Sequence, residues 1–348
     1  YASHLQLKIM INKFFFLALA IFCIGNDAHA KELSNLFEVN IPVDQYTNTN
    51  DGLNKAFNQM LKKLSGSRNQ SYLWRVGDAK LNKIDFVSSY SIDVINGQEN
   101  LSVEFNKTTL IPELRKIDIP LIGFSRPVIL FLIKIDSGEG IPSYMNHNNP
   151  TDSLQTDLEA TLQEIASGRG VHLELPAFDL EDQNFLKQTN ILFSPAQYIE
   201  EKFYNDDLLS FEISRVGINQ WLINGDLNST LSIPEEMIVD FISEQIHLFL
   251  DSFLAVEPME QGVLGDRLLL SITGLESFED VQAVELELDK IFAIKSRDFH
   301  FFDRANIEYQ TQLFQTTDAL LKELRGSSKF YVEELTQDAS ILYLEYLN

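Results

Sequence analysis

Residues 128–135, VILFLIKI, are apolar at seven of eight positions. The run is far shorter than the roughly 20 apolar residues of a membrane-crossing helix. It lacks the polar alternation of a strand with one wet face, so it reads as a buried strand. The chain around it must therefore supply cover. A polar loop at 138–150 leads into a helix at 151–170, with Leu154, Leu158, Leu162 and Ile165 on one face. A strand at 171–178, a helix near 195–204, strands near 208–216 and 219–226, and a long helix at 234–254 follow. Strands alternating with helices predict an α/β sandwich with a mostly parallel sheet over residues 126–260. In such sheets a small ligand is expected at the C-terminal ends of the strands.

The flanking segments are built differently. Over residues 31–125, LFEVNIPV (36–43) alternates as a strand. The segment 50–66 places Leu53, Ala56, Phe57, Met60, Leu61 and Leu64 on one helical face, with Asn50 or Asp51 as cap and Gly66 as stop. A second helix at 71–83, a hairpin at 86–106 turning at Asn96-Gly97, and a short helix at 108–117 complete an α+β unit. Residues 262–348 give strand 267–275, helix 277–291, strands 293–302 and 305–314, helix 316–326 and strands 330–335 and 341–347. That order predicts a ferredoxin-like split βαβ fold, which the first segment nearly repeats. The fold class expected is thus α/β and α+β in three domains, with ferredoxin-like units flanking the sandwich.

Ahead of these lies a segment with the marks of an export signal. Met10 is a plausible start, which makes residues 1–9 upstream read-through. Lys13, the apolar run 14–25 and the small-x-small triplet Ala28-His29-Ala30 follow in order. Cleavage after Ala30 leaves a periplasmic chain without cysteine, since Cys23 is the sole one. Disulfides, thiol catalysis and cysteine-ligated metal are then excluded. The alternatives are a lipid anchor on Cys23 and an uncleaved signal anchor.

Charge is uneven along the chain. Residues 31–135 hold 13 Lys+Arg and 11 Asp+Glu, a net of +2, whereas residues 136–348 hold 12 and 39, a net of −27. The acidic part argues against nucleic acid and against anionic lipid. An anionic partner would meet the first segment, where Lys55, Lys62, Lys63, Arg68 and Arg75 cluster. A basic partner would meet Glu279, Asp280, Glu285, Glu287 and Asp289.

Chemistry is sparse. There is no nucleophile elbow, no Ser-x-x-Lys box and no phosphate loop, and Ser125 beside Arg126 reads as the start of a strand. His147, His172, His247 and His300 show no ligand spacing, so neither metal nor cofactor is expected. The sharpest acidic cluster is Asp179, Glu181 and Asp182, directly after a strand. Two carboxylates suffice for a glycosidase, although acidic residues at a helix start account for the same letters.

Read together, LFEVNIPV, the helix ending LKKLSG, GFSRPVILFLIKID and LPAFDLED resemble a secreted proteobacterial family known only as a domain of unknown function. The resemblance spans roughly residues 36–340. It implies export and a multi-domain α/β build, and carries no catalytic residues. The expected role is a non-catalytic accessory or binding protein, its partner another envelope protein and its oligomeric state open. The alternatives are an envelope glycan hydrolase on Asp179, Glu181 and Asp182, or a small-molecule carrier.

Overall fold

A computed structural model describes residues 31–95, 97–138, 140, 142–146, 152–186, 194–256, 267–303, 305–336 and 340–347. The segment read as an export signal, Cys23, the turn residue Asn96 and His147 lie outside the described residues. The architecture is mixed α/β, with nine helices and several sheets among the described residues.

The first sheet holds β1 (Glu38–Pro42), β2 (Val87–Ile95) and β3 (Gln98–Phe105), in the antiparallel order β1-β3-β2. Helix α1 (Thr49–Ser65) lies over β1 and β3. Its six predicted apolar residues are all buried. Asn48, not Asn50 or Asp51, is the cap, since its side chain accepts the Asp51 N–H. The helix ends at Gly66, which turns left-handed at φ 63°. Helix α2 (Ser71–Asp78) is shorter than expected, because Lys80 takes a left-handed φ of 53° and breaks it. Helix α3 (Lys107–Lys116) closes the unit.

The second sheet is organised on β4 (Val128–Asp136). It is joined by β5 (Ser143–Tyr144), β6 (His172–Glu174), β7 (Asp207–Gly217), β8 (Gln220–Gly225) and β9 (Ile233–Pro234). The expectation of a mostly parallel sheet is corrected to a mixed one. β4 runs parallel to β6 and β7, but β5, β8 and β9 pair antiparallel. The reason is local. Gln220 pairs with Gly217, and Asn219 adopts φ 52°, so β7 and β8 are joined by a tight hairpin that no parallel pair can use. Both faces of β4 are covered. Ile129, Phe131, Ile133 and Ile135 meet α4 (Ser153–Arg169) and α7 (Ile238–Phe253). Leu130 and Leu132 meet the side of α5 (Leu180–Leu186) and α6 (Pro195–Lys202).

The third sheet holds β10 (Arg267–Thr273), β11 (Ile294–Asp303), β12 (Asn306–Leu313), β13 (Phe330–Leu335) and β14 (Ile341–Tyr346), in the order β11-β12-β10-β14-β13. Helices α8 (Phe278–Leu288) and α9 (Thr317–Arg325) cover it. β10, α8, β11 and β12 form a split βαβ. The final hairpin departs from the expected four-stranded plan, because β14 takes the place beside β10 and runs parallel to it, leaving β13 at the edge. Among the described residues no helix is long and apolar enough to cross a membrane.

A Cβ at Gly66 would stand 2.6 Å from Ile122 Cδ1, on backbone that disfavours any side chain. Gly66→Ala should therefore cost about 1–3 kcal/mol in urea unfolding. Gly77→Ala, in open space on α2, should instead gain up to about 1 kcal/mol.

Candidate functional site

The predicted cationic surface is not a single surface. Lys63 is buried, and its ammonium donates to the Asn35 and Glu38 carbonyls at 2.8 and 2.9 Å. Burial pushes its pKa down to about 8. Arg68 reaches across to α7, pairing with Glu244 at 3.0 Å and Asp251 at 2.9 Å. Arg75 donates to the Asp118 carbonyl, and Lys55 to Asp51 and the Gln45 carbonyl. Lys62 stays exposed. The helix stripe predicts that Lys55, Lys62 and Lys63 face away from the core of α1, but α4 packs against the helix on a further side.

The acidic cluster is likewise turned inward. Asp179 and Asp182 each accept the other's backbone N–H, at 2.8 and 2.9 Å, which caps α5. Asp182 is fully buried and also accepts from Tyr198 Oη at 2.7 Å and Lys202 Nζ at 2.5 Å. The Lys202 ammonium is held well above its ordinary range, mainly by the Asp182 hydrogen bond. These carboxylates tie α5 to α6 and do not face one another across a cleft; Glu181 lies in the first turn of α5. On α8, Asp280 closes a capping box with Ser277, Glu285 and Asp289 hold Arg297, and Glu287 holds Lys290. Glu279 is exposed.

The structure brings together a different set, at residues 119–127, where all three sheets' units meet. Arg126 is fully buried, and its guanidinium donates to the Lys63 and Ile122 carbonyls at 3.0 and 2.7 Å. Gln315 Nε2 donates to the Leu121 carbonyl. Arg115 donates to the Phe292 carbonyl at 2.7 Å, and the Glu323 carboxylate accepts the Phe292 N–H at 2.7 Å. Burial drives the Glu323 pKa up to about 7, against the pull of that N–H and of Arg126 and Arg115. Burial pushes Arg126 down to about 9.

Beside this cluster lies a cavity of about 680 Å³. Its walls include Phe253 at the end of α7, Leu254 and Val256 just after it, and Ala319 and Lys322 on α9. Ser125, Gln315 and Glu323 lie along its polar side, and the buried Ser125 hydroxyl has no hydrogen-bond partner among the described residues. The Lys322 ammonium sits 4.6 Å from the Phe253 ring centre, bridging the two walls. Ser125, Pro127 and Asp206 precede β4 and β7, so the cavity lies at the N-terminal ends of these parallel strands, opposite to the expected end. Of the sequence candidates only Ser125 lines it. Gln315 and Glu323 carried no signal, because their partners Leu121 and Phe292 come from other segments of the chain.

Of the histidines, His172 meets the Lys31 carbonyl and His247 meets Arg169, while His300 is exposed. Among the described residues no group of His, Cys, Asp and Glu has the arrangement of a metal site.

Residues 30–123 match a family described as a domain of unknown function (DUF8605). The match spans the first unit and ends within the junction segment. No curated protein and no solved structure matches the chain.

An acid whose pKa rises on folding holds its proton more tightly in the folded state. The Glu323 contribution therefore favours folding below its ordinary value of 4.5 and is lost as pH rises to about 7. Relative to the parent, Glu323→Gln should gain stability progressively between these pH values and no further above them, as read from urea midpoints. Asp182→Asn should lower the midpoint at neutral pH, because it removes the charge that pairs with Lys202 and leaves one oxygen where two now accept from Tyr198, Lys202 and the Asp179 N–H.

Proposed function

We propose that the chain is an exported, non-catalytic binding protein of the cell envelope that holds a small amphipathic molecule in the junction cavity. One observation carries this reading: a cavity of about 680 Å³ with largely apolar walls and a buried Ser125 hydroxyl that has no hydrogen-bond partner among the described residues. Ligand cavities commonly measure about 300–1,000 Å³ and combine apolar walls with a few polar groups that fix orientation. Ser125 and Gln315 would orient a polar group, and Phe253, Leu254 and Val256 would cover an apolar body. Lys322 and Arg325 give that wall cationic groups beside the carboxyl groups of Asp206, Asp318 and Glu323, suited to a polar ligand head.

Export rests on the order of Lys13, the apolar run 14–25 and Ala28-His29-Ala30. A non-catalytic role is supported by the inward use of Asp179 and Asp182. A partner protein in the envelope remains part of the proposal, though a face shared by Lys55, Lys62, Lys63, Arg68 and Arg75 does not carry it.

Ala319→Trp, on the cavity wall, tests the reading. The parent should enhance the fluorescence of 1-anilinonaphthalene-8-sulfonate, an acidic amphiphile, with saturation at one site per chain. Ala319→Trp should lose at least about tenfold in affinity, or about 1.4 kcal/mol, with an unchanged melting temperature. Full retention of binding in that variant would overturn the cavity as the site.

A further inference from the structure

We propose that β2 (Val87–Ile95) pairs edge to edge with β2 of a second copy, making one continuous six-stranded antiparallel sheet from two N-terminal units. The strand is the outermost of its sheet and, among the described residues, pairs with β3 alone. Its other edge presents backbone N–H and C=O groups ready for a further strand.

The side chains are unusual for such an edge. Tyr90 stands opposite Val103 and Ile92 opposite Leu101, so they continue the face that forms the core. Val103 and Leu101 are buried on the side of the sheet where α1 packs against β1 and β3. Tyr90, Ile92 and Val94 are 56%, 61% and 69% exposed, an apolar row on the core side of the sheet that none of the described helices buries. On the opposite face Ser89, Ser91 and Asp93 alternate with them. The strand carries a single charge and no proline, and its one register break lies at its start, between Val87 and Ser89. The devices that protect exposed edges are thus missing along most of its length.

The edge of the third sheet makes a useful contrast. β11 also exposes phenylalanines, Phe299, Phe301 and Phe302. It is interrupted by two register breaks and carries Lys295, Arg297, Asp298 and Asp303, which are the marks of a guarded edge.

The partner is a second copy because the strand is complementary to itself. With a two-fold axis through Ile92, antiparallel pairing sets Ile92 against Ile92, Tyr90 against Val94, and Ser91 against Asp93. Aromatic and β-branched pairs are favourable across strands. The Ser91 hydroxyl, which bonds Asp93 within one chain at 2.7 Å, meets a carboxylate of the other, and no charge stands directly opposite its like. Long-range charge selects the same unit. Residues 31–135 carry a net of +2 and residues 136–348 a net of −27, so two copies repel least when they meet through their N-terminal sheets.

Sedimentation velocity and light scattering of the full chain at about 100 μM, where even a micromolar dimer is populated, read the outcome. The parent should be a dimer and Ile92→Lys a monomer with an unchanged melting temperature. Phe301→Lys, on the guarded edge, should remain a dimer. In a chain with Cys23→Ser, Ile92→Cys should oxidise to a disulfide-linked dimer, since directly opposed strand residues lie within bridging distance. A monomeric parent would overturn the proposal and leave the strand to a different polypeptide. A dimer that survives Ile92→Lys would overturn it too, and a dimer that Ile92→Cys cannot bridge would overturn the axis through Ile92.

Discussion

The C-terminus of the helix Thr49–Ser65 is held by two buried arginines, and much of the remaining structure is arranged around that grip. A helix ends in carbonyls without partners and a partial negative charge. Here Arg126 takes the Lys63 carbonyl and Arg169 takes the Gly66 carbonyl. Arg126 stands just before β4 and Arg169 is the last residue of α4, so both begin or end elements of the middle unit. Burying a guanidinium is costly unless its donors are satisfied. The Lys63, Gly66 and Ile122 carbonyls, with Asp251 on Arg169, meet most of these donors, while Arg126 Nε has no hydrogen-bond partner among the described residues. The first two units are therefore joined by backbone acceptors that no side-chain substitution can remove.

This grip also decides where positive charge is available. Lys63, Arg68, Arg126 and Arg169 all surround the last turn of α1 and its exit, and each is used within the chain. The near-neutral balance of residues 31–135 therefore does not become a cationic face. It becomes the mortar between an N-terminal unit and an acidic middle unit, with Asp251 and Glu244 of α7 as the counter-charges.

What the sequence disclosed follows from range. The VILFLIKI strand and the apolar stripe of α1 were legible because burial imposes its period on neighbouring residues. Gly66 was legible as a helix stop, and it is a left-handed cap. The acidic letters at 179–182 held both readings, and the spacing of three that makes a reciprocal cap was the better guide. Strand direction in the middle sheet was less legible, since alternation of strands and helices does not say which strands share a hairpin. The inward turn of Lys63 and the burial of Glu323 left no local trace. Their acceptors and donors, Asn35, Glu38 and Phe292, lie 25 or more residues away.

Glu323 is the place where these threads meet. A carboxylate with an ordinary environment would favour its charged form above pH 4.5, yet burial here outweighs two backbone N–H groups and two arginines. Gly123 explains why the carboxylate can come so close to the junction segment: a Cβ there would fall 2.3 Å from Glu323 Oε2. The group thus sits against the segment that joins the first unit to the second, accepts from the strand lead-in of the third, and lines the cavity wall. Any ligand that brings a hydrogen-bond donor or acceptor to that wall changes the balance between the two protonation states of Glu323. By linkage, the protonation of Glu323 changes the affinity for that ligand to the same extent. Neutral pH falls close to its midpoint, so the coupling operates where the carboxyl is divided between its two forms.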